Sequence, residues 1–285
     1  MSPLPPKVFD RDLIARHLAR RRGADDFVTR LALDDLASRL ITVTRSFEAA
    51  LIMAPDATEL PVMGRSANGI FRFERAATVV EAEGAALVDP ETLALPRTDY
   101  DLIVSILDLT VVNDVVGFLA RLRRHLRPDG LFMAVAVGGA SLNELREAWL
   151  TAEAEVSGGA YARVAPFIPL ADAGGLLQRA GFSLPVTDVE THTVRYGHPL
   201  KLMAELKALG AQNPLADRPG RPVTRHLLQM ATEAYGALAM DADARVRATL
   251  ELIWMSGWAP HDSQQKPSRR GSATVSLKDV LEKKR

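Results

Sequence analysis

Cysteine is absent from the 285 residues, which removes disulfides, thiolate nucleophiles, iron–sulfur ligation and cysteine-type zinc sites together. An excess of charge is absent as well: Lys+Arg 35 balances Asp+Glu 35, so no global field exists to hold a nucleic-acid backbone or an anionic membrane. Long apolar runs are missing. The longest, Leu102 to Leu109 and Leu131 to Val137, are strand-sized, far short of the roughly 18 to 20 residues that cross a bilayer. The arginines near the start (Arg16, Arg20, Arg21, Arg22) are preceded by Asp10 and Asp12 and are followed by no apolar signal core. These absences lead to the expectation of a cytoplasmic chain with no transmembrane segment and no nucleic-acid partner. The six histidines show no metal-ligand spacing, and no Gly-x-Ser-x-Gly elbow occurs, so neither metal ligands nor a covalent nucleophile is assigned and the catalytic residues stay unknown.

What is present is the composition of an ordinary folded protein, 47% hydrophobic and 25% charged. Asp10 to Arg22 reads as a helix with early acids, late bases and Gly23 to stop it. A second helix is expected from Asp25 or Asp26 to about Ser46, with Phe27, Leu31, Leu33, Leu36 and Leu40 at a mostly helical period. Beyond Phe47, apolar runs at 49–53, 69–73, 85–88, 101–107 and 131–137 alternate with amphipathic segments. The clearest unit is the run Tyr100 to Leu107, a helix from about Asn113 to Leu126, Arg127-Pro128-Asp129-Gly130, and the run Leu131 to Val137. Continuous apolar strands joined by a helix make a parallel crossover buried on both faces. The expected class is α/β with a doubly wound sheet. Helices at 141–155 and 170–180, strands at 182–196 and 246–258, and about sixty largely helical residues between those strands complete the reading. The polar tail after His261 has no core pattern.

Ligands of open parallel sheets bind at the carboxyl ends of the strands, so four loops matter. The first, Met53-Ala54-Pro55-Asp56, has no glycine until Gly64. A nucleotide-type grip needs glycine there to turn sharply and present N–H groups, and Pro55 has no N–H at all. Room before Gly69 is left for only a short helix. The second loop carries Glu74, an acid that can accept the hydroxyls of a ribose or simply be solvated. The third carries Asp89-Pro90, where Asp89 can receive an adenine amino group or start a turn. The fourth follows Leu107 and begins with Asp108, which also reads as a cap.

The run of strand, acid, strand, helix, Arg-Pro-Asp-Gly and strand, followed by an antiparallel pair, resembles the class I S-adenosylmethionine-dependent methyltransferases. More narrowly, Val8-Phe9-Asp10-Arg11-Asp12-Leu13, Val112-Asn113-Asp114, Gly138 to Arg146 and Gly271-Ser272-Ala273-Thr274-Val275-Ser276 look like the complex I assembly factor 5 (arginine hydroxylase) group, which is related to the biotin-pathway malonyl-carrier-protein methyltransferases. The resemblance implies a Rossmann-like, mostly parallel seven-stranded sheet with N-terminal helices and a helical insertion before the last strand. It also implies S-adenosylmethionine as cofactor and a protein substrate, namely an arginine of a complex I subunit. On this reading residues 1–45 form an N-terminal helical segment, 46–258 a methyltransferase-like domain with its insertion at about 198–241, and 259–285 a polar tail. Cofactor contacts are expected from Met53, Ala54, Glu74, Asp89, Pro90, Leu107 and Asp108. The missing glycines and Thr110-Val111, which stand where the family has a His-Trp pair, lead to the expectation of a degenerate cofactor loop. Two functions follow: a methyltransferase-like protein acting on or assisting a protein substrate, or a non-catalytic scaffold that binds a partner.

Overall fold

The apolar runs form the middle strands of one sheet. The structure, a computed structural model, describes residues 7–21, 25–159, 161–220, 222–265 and 272. The expected helix stop at Gly23, Arg22 and the terminal segment from 266 onward, Ser272 apart, lie outside the described residues. The strands are β1 (Ala50–Asp56), β2 (Met63–Ser66), β3 (Gly69–Val80), β4 (Ala86–Leu87), β5 (Tyr100–Ile106), β6 (Leu126–Val137), β7 (Ser183–Tyr196) and β8 (Val246–Trp258). Their order is β2-β3-β1-β5-β6-β8-β7, with β4 also paired to β3. Pairs β4/β3, β3/β1, β1/β5 and β5/β6 are parallel, whereas β8 runs antiparallel to both β6 and β7. This is the mostly parallel sheet with a reversed pair at one edge that the resemblance implies. Seven of the strands are the expected ones, and β2, a short antiparallel partner of β3, is an eighth. Strand β6 begins earlier than its apolar run and takes in Arg127 to Gly130.

The helices are α1 (Arg11–Leu18), α2 (Phe27–Leu40), α3 (Val115–His125), α4 (Asn143–Ser157), α5 (Leu170–Arg179), α6 (Pro199–Ala208) and α7 (Arg225–Ala239). Asp10, Asp26, Asp114 and Thr224 cap α1, α2, α3 and α7 by accepting N–H groups of the first turn. Strand residues alternate between two cores. Leu51, Met53, Ile103, Phe132 and Met255 pack against Phe118 and Leu122 of α3 and Leu177 of α5. Ile52, Val104, Val135 and Trp254 pack with Ala32, Leu36 and Leu40 of α2. The insertion has its own core, in which Tyr235 and Ala231 of α7 meet Trp149 and Leu145 of α4 and Leu202 of α6.

One expectation is corrected. The βα rhythm does not run through the first half of the sheet, because no helix lies between β1 and β5. Segment 57–68 crosses from β1 to β3 by burying Ala57 and Leu60 in the α2-side core and then running as β2. Gly64 lies flat against Phe71 and Phe73 there; a Cβ would meet the Phe71 ring at 2.5 Å. Residues 81–85 turn directly into β4, and 88–99 return to β5 as turns. Pro61, Pro90 and Pro96 lie along these segments, and each removes an N–H from any helical ladder there.

The lower ends of β1 and β5 are tied by Asp101, only 3% exposed. Its carboxylate accepts from the N–H groups of Glu48 at 2.6 Å and Ala49 at 3.1 Å and pairs with Arg127 at 2.7 Å. Asp101→Ala leaves two N–H groups without their acceptor and is expected to lower unfolding free energy by about 2–4 kcal/mol. Urea denaturation followed by far-ultraviolet dichroism measures this; a variant within about 0.5 kcal/mol of wild type would show the tie to be dispensable.

Candidate functional site

A cavity of about 530 Å³ lies over the carboxyl ends of β1, β5 and β6. β1 and β5 are neighbours from which the chain spreads in opposite directions, the position where open α/β sheets take ligands. Its floor is Ala54-Pro55-Asp56, Ile106-Leu107 and Val137. Its walls and roof are Ile14 and Leu18 of α1, Phe27 of α2, Leu145 and Trp149 of α4, Met203 and Leu206 of α6, and residues 209–214 after α6. Leu107 leaves β5 with φ 62°, a left-handed conformation uncommon for a branched residue, and the single 3-10 turn Asp108–Thr110 follows.

Several polar groups of the wall are occupied by one another. Arg21 pairs with Asp26 at the start of α2 and with Asp56 at the end of β1, 3.2 Å away, and donates to the Leu209 carbonyl. Arg163 pairs with the fully buried Glu153 and lies over the Trp149 ring. Ser141 exchanges hydrogen bonds with the Glu251 backbone, Thr249 donates to Glu144, and Thr110 donates to the Leu107 carbonyl. Tyr196 is hydrogen-bonded to Glu205, and burial, more than that carboxylate, raises its phenol well above the ordinary range. Arg21, which reads from sequence as one of the late bases of the first helix, is a half-buried cross-link.

Of the seven residues expected to hold a cofactor, the structure brings Ala54 and Leu107 to the cavity. Met53 is fully buried on the opposite, α3-side face. Glu74 is not at the end of its strand: β3 continues to Val80, so Glu74 sits about 20 Å from the rim at ~3.3 Å per residue. It pairs in register with Leu51 near the start of β1, accepts from the Tyr100 hydroxyl at 2.6 Å and faces Arg97 at 3.6 Å. Asp89 forms the turn that its neighbour Pro90 announces, its Oδ1 accepting from the Glu91 N–H and its carbonyl from Thr92 and Leu93. Pro90 is buried and its carbonyl accepts from Arg121. Asp108 is 0% exposed beneath the rim and accepts from the Thr78 and Ser105 hydroxyls.

Helix α1 closes the part of the rim that the cavity leaves. Arg11 donates to the carbonyls of Thr78 in β3 and Val111 beyond β5, and Phe9 packs with Val79, Val111 and Leu215. The Phe9 backbone exchanges hydrogen bonds with the Asn113 side chain. The segment after α6 clamps the start of α1 through Asp10 N–H to the Pro214 carbonyl, Ala216 N–H to the Val8 carbonyl, and the Asp10–Arg218 pair at 3.0 Å. Cavity residues that sequence reasoning missed, Trp149, Tyr196, Met203 and Arg163 among them, come from α4, β7, α6 and the loop at 161–167. Only the helical spacing of Leu145 and Trp149 marks a buried face in advance, and not which one.

No helix N-terminus lies between β1 and β5, and several N–H groups of these connections are taken locally: Thr58 by the Asp56 carboxylate, Leu60 by the Ala57 carbonyl, Glu91 by Asp89, and Val88 by the Ala77 carbonyl. Among the described residues no three His, Asp or Glu converge as metal ligands.

Burial pushes the Asp108 carboxyl up to about 6, against the lowering effect of the Thr78 and Ser105 hydroxyls and of the Arg11 charge. A carboxyl raised on folding contributes stability that is full below its unfolded pKa and is lost as pH rises through the folded one. Wild type should therefore lose stability from about pH 4 to pH 6 and a little above relative to Asp108→Asn. Urea midpoints of the two proteins at pH 4.5 and 7.5 check this; a difference that does not shift toward the variant at the higher pH would contradict it.

No family model matches the chain. It is 36% identical over 194 residues to the zebrafish (Danio rerio) protein named arginine-hydroxylase NDUFAF5, mitochondrial, covering 68% of this chain and 60% of that one. To the human protein of the same name it is 30% identical over 293 residues, covering 98% of this chain and 85% of that one. To the malonyl-[acyl-carrier protein] O-methyltransferase of Halorhodospira halophila it is 32% identical over 214 residues, 75% of this chain and 70% of that one. Among solved structures, a putative methyltransferase from Bacillus halodurans aligns with 81% of this chain and 98% of its own at TM-score 0.47 and 14% identity. The expectation of a cytoplasmic chain is overturned, since the zebrafish, rat, mouse and human relatives are all named mitochondrial. Identity of 30% to the human protein across nearly the whole of this chain makes it a member of the NDUFAF5 arginine-hydroxylase family.

Proposed function

We propose that the chain serves respiratory complex I assembly as a methyltransferase-fold protein that acts on or beside a partner protein without gripping S-adenosylmethionine in the conventional way. The family's named activity, arginine hydroxylation, supplies the context of a protein partner, and the resemblance supplies complex I. The observation that carries the reading is the absence of any helix between β1 and β5. A conventional site holds the cofactor with unpaired N–H groups at a glycine turn and the helix it opens. Each such charge-assisted hydrogen bond is worth about 1.5–3 kcal/mol, so losing two weakens binding by roughly 10² to 10⁴. That carries a micromolar cofactor toward millimolar.

A second reading, a working transferase, is favoured by the cavity's size and by its place at the switch between β1 and β5. Calorimetric titration with S-adenosylmethionine separates the two. The expected result is no saturable heat up to about 1 mM ligand; a dissociation constant near micromolar would overturn the non-gripping reading and restore the transferase. The pull-down of partner protein from an assembly reaction should be unaffected by added S-adenosylmethionine, and dependence on it would point the same way.

A further inference from the structure

We propose that the rim cavity is a binding site for an apolar small molecule, a hydrocarbon chain or ring system without an anionic head. The inference rests on the reading that this cavity, and not the β3–β4 part of the rim, is the working site. Its volume of about 530 Å³ lies within the range of about 300–1,000 Å³ typical of small-molecule sites. Its surface is built from Ile14, Ile106, Trp149, Phe167, Met203 and Leu206.

The charges decide the ligand's class. Arg21 stands between two carboxylates, Asp26 and Asp56. Arg163 is held by Glu153, Glu205 is engaged by Tyr196, and Lys207 is exposed to solvent. An anionic ligand group entering this space would lose hydration and find Arg21 and Arg163 already held by carboxylates, with Asp26, Asp56 and Glu205 close by, which is unfavourable. An apolar ligand leaves those pairs intact and meets mostly aliphatic and aromatic side chains. The wall thus selects against anionic charge while attracting hydrocarbon, the two halves of specificity.

The full-length protein can be titrated with N-phenyl-1-naphthylamine, an uncharged probe whose emission rises in apolar surroundings. Wild type and Met203→Leu are expected to bind it with a dissociation constant of about 1–10 μM, and Met203→Glu at least about tenfold more weakly at unchanged dichroism and melting temperature. Dodecanol should displace the probe, and dodecanoate, the same chain with a charged head, should do so at least about tenfold less well. No saturable binding below about 100 μM, a Met203→Glu variant that binds like wild type, or equal displacement by alcohol and carboxylate would each overturn the proposal. S-adenosylmethionine at about 1 mM is expected to leave the probe in place, and displacement by it overturns the assignment. Calorimetric binding of S-adenosylmethionine without displacement overturns only the reading of the preceding subsection.

Discussion

A ligand at the rim of a parallel sheet is held chiefly by backbone N–H groups with no other partner, and in α/β proteins these occur where a strand turns into a helix. Between β1 and β5 this chain has no such junction. From Asp56 to Tyr100 every connection is a hairpin or a turn, and turns satisfy their own donors. The Asp56 carboxylate takes the N–H and hydroxyl of Thr58; Asp89 takes three N–H groups of the four residues that follow it. Asp89, which reads from sequence as an adenine contact, thus engages the N–H groups of its own turn. Above them Arg11 occupies the Thr78 and Val111 carbonyls, so acceptors on that part of the rim are spent as well.

Loss of helices on one half of the sheet has to be balanced by cover from elsewhere, since both faces of the central strands are apolar. Helix α2 is the principal cover on its side, and toward the β8 edge the arginines take over: Arg39 lies 4.8 Å from the Trp254 ring and Arg45 5.0 Å from that of Trp258. Stacked guanidinium groups shield ring faces while keeping their charge in water, and Arg39 is held flat by Asp35, Asp188 and Glu190. The other half keeps the regular arrangement, with α3 and α5 packed over β5, β6 and β8 and Phe132 stacked on Phe182 at 4.9 Å. Half of the fold is therefore maintained as a doubly wound sheet and half is covered by side chains and turns.

This division also explains what was legible in the sequence. Where apolar strands are joined by helices, periodicity is unambiguous, and β5, α3, β6 and α5 lie within a few residues of where the pattern puts them; β7, which alternates half-buried and exposed residues, and β8 lie there too. The missing glycines after β1 lead to the expectation of a rebuilt loop there, and the chain from 57 to 68 runs without a helix. Glu74 is different. Its apolar run, Gly69 to Phe73, ends just before it, but the strand continues through Arg75 to Val80 because Ala76, Ala77 and Thr78 are small enough to be buried between β1 and β4. Small residues carry little hydropathic signal, so a strand built of them ends too early on paper. The roof of the cavity was illegible for another reason: Trp149, Met203 and Tyr196 belong to three elements whose mutual placement is set by the insertion's own core, and no local pattern encodes it.

Helix α1 couples the two parts of the rim. Arg11, in its first turn, bridges the β3 and β5 ends beside the buried Asp108, while Ile14 and Leu18, one and two turns later, close the cavity. The helix that crosses the β3 and β5 ends is thus also a wall of the cavity. The segment after α6 grips the start of the same helix through Pro214, Ala216 and Arg218, so this wall is fixed by the first helix and the insertion together, parts of the chain about two hundred residues apart in sequence.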